Sequence, residues 1–215
     1  MALTGAAFLA LWNDIDDARE AEYDLWHTVE HVPQRVGLPG FISGRRYRAA
    51  GGAPHYFTLY DVTAPAVFES RHYLALINEP TPWSRSMRPS FRNVVRAVCR
   101  TQRSAGQGVG GALQCVRIAA ADRPSEDAAA AGALIDACAA LEGVTAVHFG
   151  ERIETTAAIF DNWQTGPMPA YVLLLEAASE RALQLHATTI ARLLDEHYGC
   201  GRIMFSELYD LCFTI

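Results

Sequence analysis

Eight short stretches of apolar or alternating residues, and four longer ones of helical period, run along the chain in an order that occurs twice. The first half reads as strand 6–13, helix 17–36, strands 41–49 and 55–62, helix 65–77, a proline-rich loop and strand 92–101. The second reads as strand 112–120, helix 125–141, strands 144–154 and 170–177, helix 180–197 and strand 202–213. Pro54, Tyr56, Leu59 and Asp61 line up with Pro169, Tyr171, Leu174 and Glu176, and Gly40-Phe41 with Gly143-Val144. A β-α-β-β-α-β order is that of the ferredoxin-like unit, in which both helices cover one face of a four-stranded antiparallel sheet. The other face of each sheet has to be covered too. The expected fold class is therefore α+β: two tandem ferredoxin-like repeats whose antiparallel sheets pack as an α+β barrel around an interior that takes a small ligand.

The division between repeats falls at residues 105–111, a flexible linker by composition, leaving 1–104 as repeat one and 112–215 as repeat two. Gly106, Gly108 and Gly111 match G-x-G-x-x-G, but a strand follows where a dinucleotide site needs a helix, so that reading is set aside. At ~100° per residue the first helix puts Ala18, Ala21, Leu25, Val29, Val32 and Val36 on one stripe, expected to pack on the sheet. Arg19, Tyr23, Trp26 and Glu30 flank that stripe. His27 and His31 lie further round, His27 as a surface residue.

Half of the 215 residues are hydrophobic, enough for an ordinary core. The apolar opening 6–12 is too short to span a bilayer and lacks the basic flank of a signal peptide, so no membrane partner is expected. Five scattered cysteines fit neither a disulfide framework nor a zinc knuckle, and suggest buried thiols in the cytoplasm. All 18 basic residues are arginine, which excludes Schiff-base chemistry, pyridoxal phosphate attachment and a P-loop lysine. Residues 1–104 carry 12 Arg against 10 acids and 105–215 carry 6 against 14; the overall acidity argues against nucleic acid as a partner.

His27, Glu30 and His31 match H-x-x-E-H, a zinc motif with imidazoles at i and i+4. The third ligand of such a site comes from a second helix in a much larger chain, and Pro33 follows within a turn, so no metal is expected here. His31, beside Glu30 at a helix end, has two readings: an acid or base titrating near neutrality with Glu30 orienting it, or a hydrogen-bond donor that fixes the loop.

Trp26, Glu30, His31 and Pro33, then Leu38-Pro39-Gly40-Phe41 and Arg45-Arg46-Tyr47, resemble the dimeric α+β barrel superfamily, near the EthD-like proteins. The segment holding Pro80, Trp83, Arg88 and Phe91 is similar to one in a two-repeat branch of it. The second half has no Glu-His pair. The resemblance implies the fold, and at most one site per chain at Glu30 and His31. Activities among such relatives range over cofactor-free monooxygenases, cyclases, isomerases, decarboxylases and haem-dependent members, so fold carries over more safely than function.

Strand alternation sets Tyr56, Thr58 and Tyr60 apart from Phe57 and Leu59, and the polar-tipped set is taken to face the barrel interior with Arg46 and Arg96. Such a lining suits an anionic or phenolic ligand. The competing reading has the tyrosines filling the space between sheets and the arginines paired with Asp61, Glu151 or Glu207. Trp83 is either part of a lid or packed on the sheet.

Three functions follow. The first is a cofactor-independent acid/base enzyme on a small carbonyl, phenolic or polyketide-like compound, with His31 catalytic. The second is a non-catalytic small-molecule binder. The third is a structural module that dimerises through exposed sheet edges, which a filled barrel interior would favour.

Overall fold

Phe8, Ala10 and Trp12 project from one face of strand β1 (Ala7–Ile15), and Ala7 and Leu9 from the other. Both faces are buried. The first set packs with Phe57, Leu59, Val95 and Tyr209, the second with Val32, Tyr60, Phe68 and Ile77. A strand covered on two sides has no need of polar alternation, which is why 7–12 reads as a nearly unbroken apolar run.

The computed structural model describes residues 2–49, 51–120, 124–155 and 164–215. After β1 come α1 (Glu20–Trp26), a π-helical turn (His27–His31) and α2 (Val32–Val36), then β2 (Phe41–Ala49) and β3 (Tyr56–Val62). A 3-10 turn (Pro65–Glu69), α3 (Arg71–Asn78), α4 (Pro82–Met87) and a second 3-10 turn (Arg88–Ser90) lead to β4 (Phe91–Gly106). The second unit is β5 (Ala112–Ile118), α5 (Pro124–Ala139), β6 (Val144–Arg152), β7 (Tyr171–Ala177), α6 (Glu180–Leu185), α7 (Ala187–Tyr198) and β8 (Ile203–Thr214).

The eight strands close into one barrel in the order β1-β3-β2-β8-β5-β7-β6-β4, every pair antiparallel. Each unit contributes four adjacent strands, and the β2–β8 and β4–β6 pairs join the units. Closure is thus internal to one chain. It pairs the strands that a lone unit would leave as edges. The 105–111 segment is not a free linker: β4 runs on through Gly106, Gln107 N–H donates to the Thr145 carbonyl, and Gly110 N–H donates to Glu176 at 2.8 Å.

Side chains fill the barrel. Phe8, Trp12, Tyr47, Phe57, Leu59, Leu113, Leu174 and Tyr209 meet there. Tyr56, Tyr60, Arg46 and Arg96, expected inside, stand on the outer, helix-covered face. The register shows it: inward Phe57 lies opposite Trp12 and Tyr47, whereas Tyr60 lies opposite Leu9 and Gly44. The polar tips were the wrong cue, because a tyrosine buries its ring equally well under a helix and leaves the hydroxyl to find its own surroundings.

One charged group crosses the interior. Arg45 Nη1 donates to Glu176 Oε1 at 2.7 Å, and His148 Nε2 lies 3.1 Å from the same oxygen, with all three residues almost wholly buried. Burial pushes Glu176 up, but the His148 hydrogen bond, the Arg45 charge and the Gly110 amide outweigh it and hold the carboxyl below its ordinary value. Asp61, one of the expected arginine partners, instead accepts the backbone N–H groups of Thr4 and Gly5 at 2.9 and 3.0 Å.

Gly40 enters β2 at φ +93° and Gly143 enters β6 at φ +82°, a left-handed conformation that glycine adopts without strain. Gly44 serves a different purpose: a Cβ there would come within 2.6 Å of Val32, so its absence lets α2 sit close on β2. Cys99, Cys115 and Cys138 are buried free thiols, while Cys200 and Cys212 are exposed, against the expectation that all are buried. Among the described residues no helix is long and apolar enough to cross a membrane.

Candidate functional site

The helix after β1 changes face part-way. Up to the first residue of the π turn it buries Tyr23, Trp26 and His27; after the turn, Val32. One π turn accommodates an extra residue, an offset of ~100°, so a stripe drawn at constant pitch cannot follow the buried face through it. Ala18, Ala21, Leu25 and Val29, expected on the sheet, are at least partly exposed, Leu25 and Val29 each at 56%. His27, expected at the surface, is fully buried. Tyr23 and Trp26 offer far more surface to the sheet than alanine or valine, and they take His27 in with them.

His27 stacks on Tyr23 with ring centroids 4.9 Å apart, and His31 lies 4.8 Å from His27 and 4.2 Å from Trp26. Neither ring nitrogen of His27 makes a hydrogen bond. Burial pushes both imidazoles well below the ordinary histidine value, and nearby arginines add to it: Arg46 and Arg35 at His27, Arg35 and then Arg88 and Arg46 at His31. Both histidines are neutral at neutral pH.

Glu30 does not orient His31. Its Oε1 accepts from Trp26 Nε1 at 3.0 Å, Thr81 Oγ1 at 2.6 Å and Ser84 Oγ at 3.0 Å. Thr81 also caps α4, accepting from Ser84 N–H at 3.0 Å, with Pro82 pre-set for the first helical turn. Glu30 therefore fastens the π turn to α4. That joint holds one wall of a pocket.

The pocket lies between the helices and the outer face of β1, β3 and β4, with a cavity volume of about 50 Å³. Leu9, Leu11, Leu76, Phe91 and Val94 make it largely apolar, and Trp26, Tyr73 and Ser84 complete its walls. His31, Gln34 and Tyr60 line it as well, and each has a buried polar atom with no hydrogen-bond partner: His31 Nδ1, Gln34 Oε1 and Tyr60 Oη. Burial pushes the Tyr60 phenol up, so it is a protonated hydrogen-bond donor. Arg35, Arg88 and Arg96 also line the pocket, and its described lining contains no Asp or Glu. Arg35 Nη1 donates to the His31 carbonyl at 3.1 Å, Arg88 Nη2 to the Ile77 carbonyl at 2.6 Å, and Arg96 Nη2 to the Tyr73 hydroxyl at 3.3 Å. Burial, then the charges of Arg35 and Arg85, pushes the Arg88 guanidinium down.

Of the residues singled out in the sequence, His31, Tyr60 and Arg96 meet in this pocket. The others do not. Arg46 is held by Asp24 Oδ1 at 2.7 Å and Thr28 Oγ1 at 2.5 Å. Tyr56 donates to Glu20 at 2.7 Å and accepts from Arg48 at 2.9 Å. Trp83 Nε1 donates to Glu22 at 2.9 Å, away from the pocket. Gln34, Arg35 and Arg88 were missed, although Gln34 and Arg35 stand three and four residues beyond His31, the helical spacing that shares a face. Among the described residues no three metal-ligating side chains cluster.

No family model matches the chain, and no curated protein matches it in sequence. Solved structures do. An anthrone oxidase-like protein superposes with a TM-score of 0.68 at 10% identity, over 100% of this chain and 95% of that one. A candidate monooxygenase from Lactobacillus acidophilus NCFM gives 0.57 at 9% identity, over 96% and 92%. A heme-binding protein from Thermus thermophilus gives 0.58 at 11% identity, over 99% and 93%. The fold is that of the α+β barrel proteins built from ferredoxin-like units. At such identities the likeness is one of architecture.

Proposed function

We propose that the chain is a cofactor-independent acid/base enzyme acting on a small carbonyl, phenolic or polyketide-like compound in the helix–sheet pocket. The observation that carries this reading is the set of unsatisfied polar atoms on His31, Gln34 and Tyr60 in a pocket otherwise lined mainly by apolar side chains and three arginines. Buried polar atoms normally have partners, and a ligand carbonyl or hydroxyl would supply them here. The filled barrel interior, which by itself favours a structural module, loses that force because the pocket lies outside the barrel.

In this reading neutral His31 takes a proton from an acidic C–H or O–H of the substrate. The electron pair left behind moves onto the substrate oxygen, which accepts a hydrogen bond from Tyr60 and faces the guanidinium wall. Returning the proton at another atom gives the isomer and restores His31. Glu30 is a positioning residue. The resemblance of the Trp26–Pro33 region to the EthD-like proteins supports the same class, as does the anthrone oxidase-like neighbour, anthrone being an aromatic ketone.

The test is a panel of phenols and aromatic ketones, anthrone among them, followed by NMR for proton–deuteron exchange in D2O. The chain is expected to accelerate exchange of at least one compound, and His31→Gln or Tyr60→Phe to slow it by roughly 10²-fold or more. Binding without exchange would leave a non-catalytic binder, and exchange indifferent to His31→Gln would end the proposal.

A further inference from the structure

We propose that the pocket takes its ligand as an anion, the ionised oxygen seated against Arg35, Arg88 and Arg96, and that a proton is taken up at His31 as the anion arrives. This rests on the pocket assignment above and names the charge state held there, the anion–imidazolium pair that proton transfer from a neutral substrate to His31 also produces.

The lining is one-sided in charge. Three guanidinium groups from α2, the 3-10 turn and β4 border the same space, and the described lining holds no carboxylate. Arg35 spends its Nη1 on the His31 carbonyl, a neutral acceptor, so its positive charge is carried on the wall of the pocket. All three are half-buried, and Arg88 feels the positive charge of Arg35, so an anion between them meets a positive field. The apolar remainder of the lining suits an aromatic body behind the charge.

Burial, and after it Arg35 and Arg88 of this set, bear on the state of His31. The groups facing it are His27 and Arg35 from its own helix, Arg46 from β2 and Arg88 from the turn after α4. Tyr60 from β3, Tyr73 from α3 and Arg96 from β4 share the pocket with it. Glu30, its chain neighbour, turns its Oε1 to Trp26, Thr81 and Ser84. These arginines combine with burial to keep His31 neutral. A negative ligand cancels part of their field and favours the imidazolium. Anion and proton therefore bind together.

Naphthalene-2-sulfonate, charged at every working pH, and the neutral naphthalene-2-sulfonamide separate charge from shape. Calorimetric titration at pH 5 to 8, in buffers of different ionisation enthalpy, measures affinity and proton uptake at once. The sulfonate is expected to bind at least tenfold more tightly than the sulfonamide, more tightly still as pH falls, and with net proton uptake. Arg35→Met is expected to abolish the preference for the sulfonate, and His31→Gln the uptake, in variants whose melting curves show them folded. Equal binding of the two probes would overturn the anion proposal while leaving the pocket assignment standing. A sulfonate preference without uptake would overturn the role given to His31. Binding of neither probe, or binding unaltered in both variants, would overturn the pocket assignment together with this inference.

Discussion

Thr81 donates its hydroxyl to Glu30 at 2.6 Å, across the joint between the π turn and α4. Two further donors converge on the same carboxylate oxygen, so the joint depends on one acceptor. Glu30→Ala is expected to cost about 2 kcal/mol in urea unfolding, and Glu30→Gln, which keeps an acceptor oxygen, about half of that. A loss of exchange activity in Glu30→Gln at unchanged stability would show that Glu30 acts on His31 after all.

Leu25 and Val29 belong to the stripe that sequence spacing assigns to the core, and they are exposed. Leu25→Glu is expected to change stability by no more than about 0.5 kcal/mol, whereas Trp26→Ala is expected to cost about 3 to 5 kcal/mol. Chemical denaturation of the two variants decides which face of the helix is buried.

His27 and His31 are held below the value they have in the unfolded chain, mainly by burial. An unfolded histidine binds a proton below pH ~6.5 that the folded one refuses, so stability is present above that pH and declines as pH falls through it. Thermal melts from pH 8 to 5 are expected to show the decline, by up to about 1.4 kcal/mol per pH unit for each histidine. His27→Phe, which also removes two unsatisfied nitrogens, is expected to flatten the slope without lowering stability at pH 8.

Glu176 governs a separate, more acidic window. Its folded value lies below the ordinary carboxylate value despite burial, so its contribution is complete above pH ~4.5 and is lost as pH falls through the folded value. Glu176→Gln removes the carboxylate that Arg45 and His148 share in the interior, and is expected to cost about 3 to 5 kcal/mol at pH 7. A melting temperature close to that of the parent chain would show that the barrel interior tolerates the loss of that carboxylate charge.

Much of this architecture can be read from residue order alone, and the reason is local. Period-two patterning in 41–49 and 55–62, the turn glycines Gly40 and Gly143 and the repeated order of elements each point to one fold. What could not be read was which face of a strand looks inward, since β1 and β3 are buried on both sides and Phe57 and Tyr56 are equally good at filling space. The π turn is hidden for a similar reason: nothing in the sequence of 27–31 reveals a changed pitch, so a helical wheel places Leu25 and His27 on each other's sides. His31 stands out because it ends a motif. Gln34 and Arg35 belong to none, and nothing in the helix read through to Val36 marks them out.

The internal closure of the barrel has a genetic consequence. In a barrel assembled from two identical copies, every substitution appears twice about the dyad, and a change that helps one pocket must be tolerated by its twin. Here each position is altered once. The helix layer over β1 to β4 can therefore change without any matching change in the alanine-rich α5 over the other half.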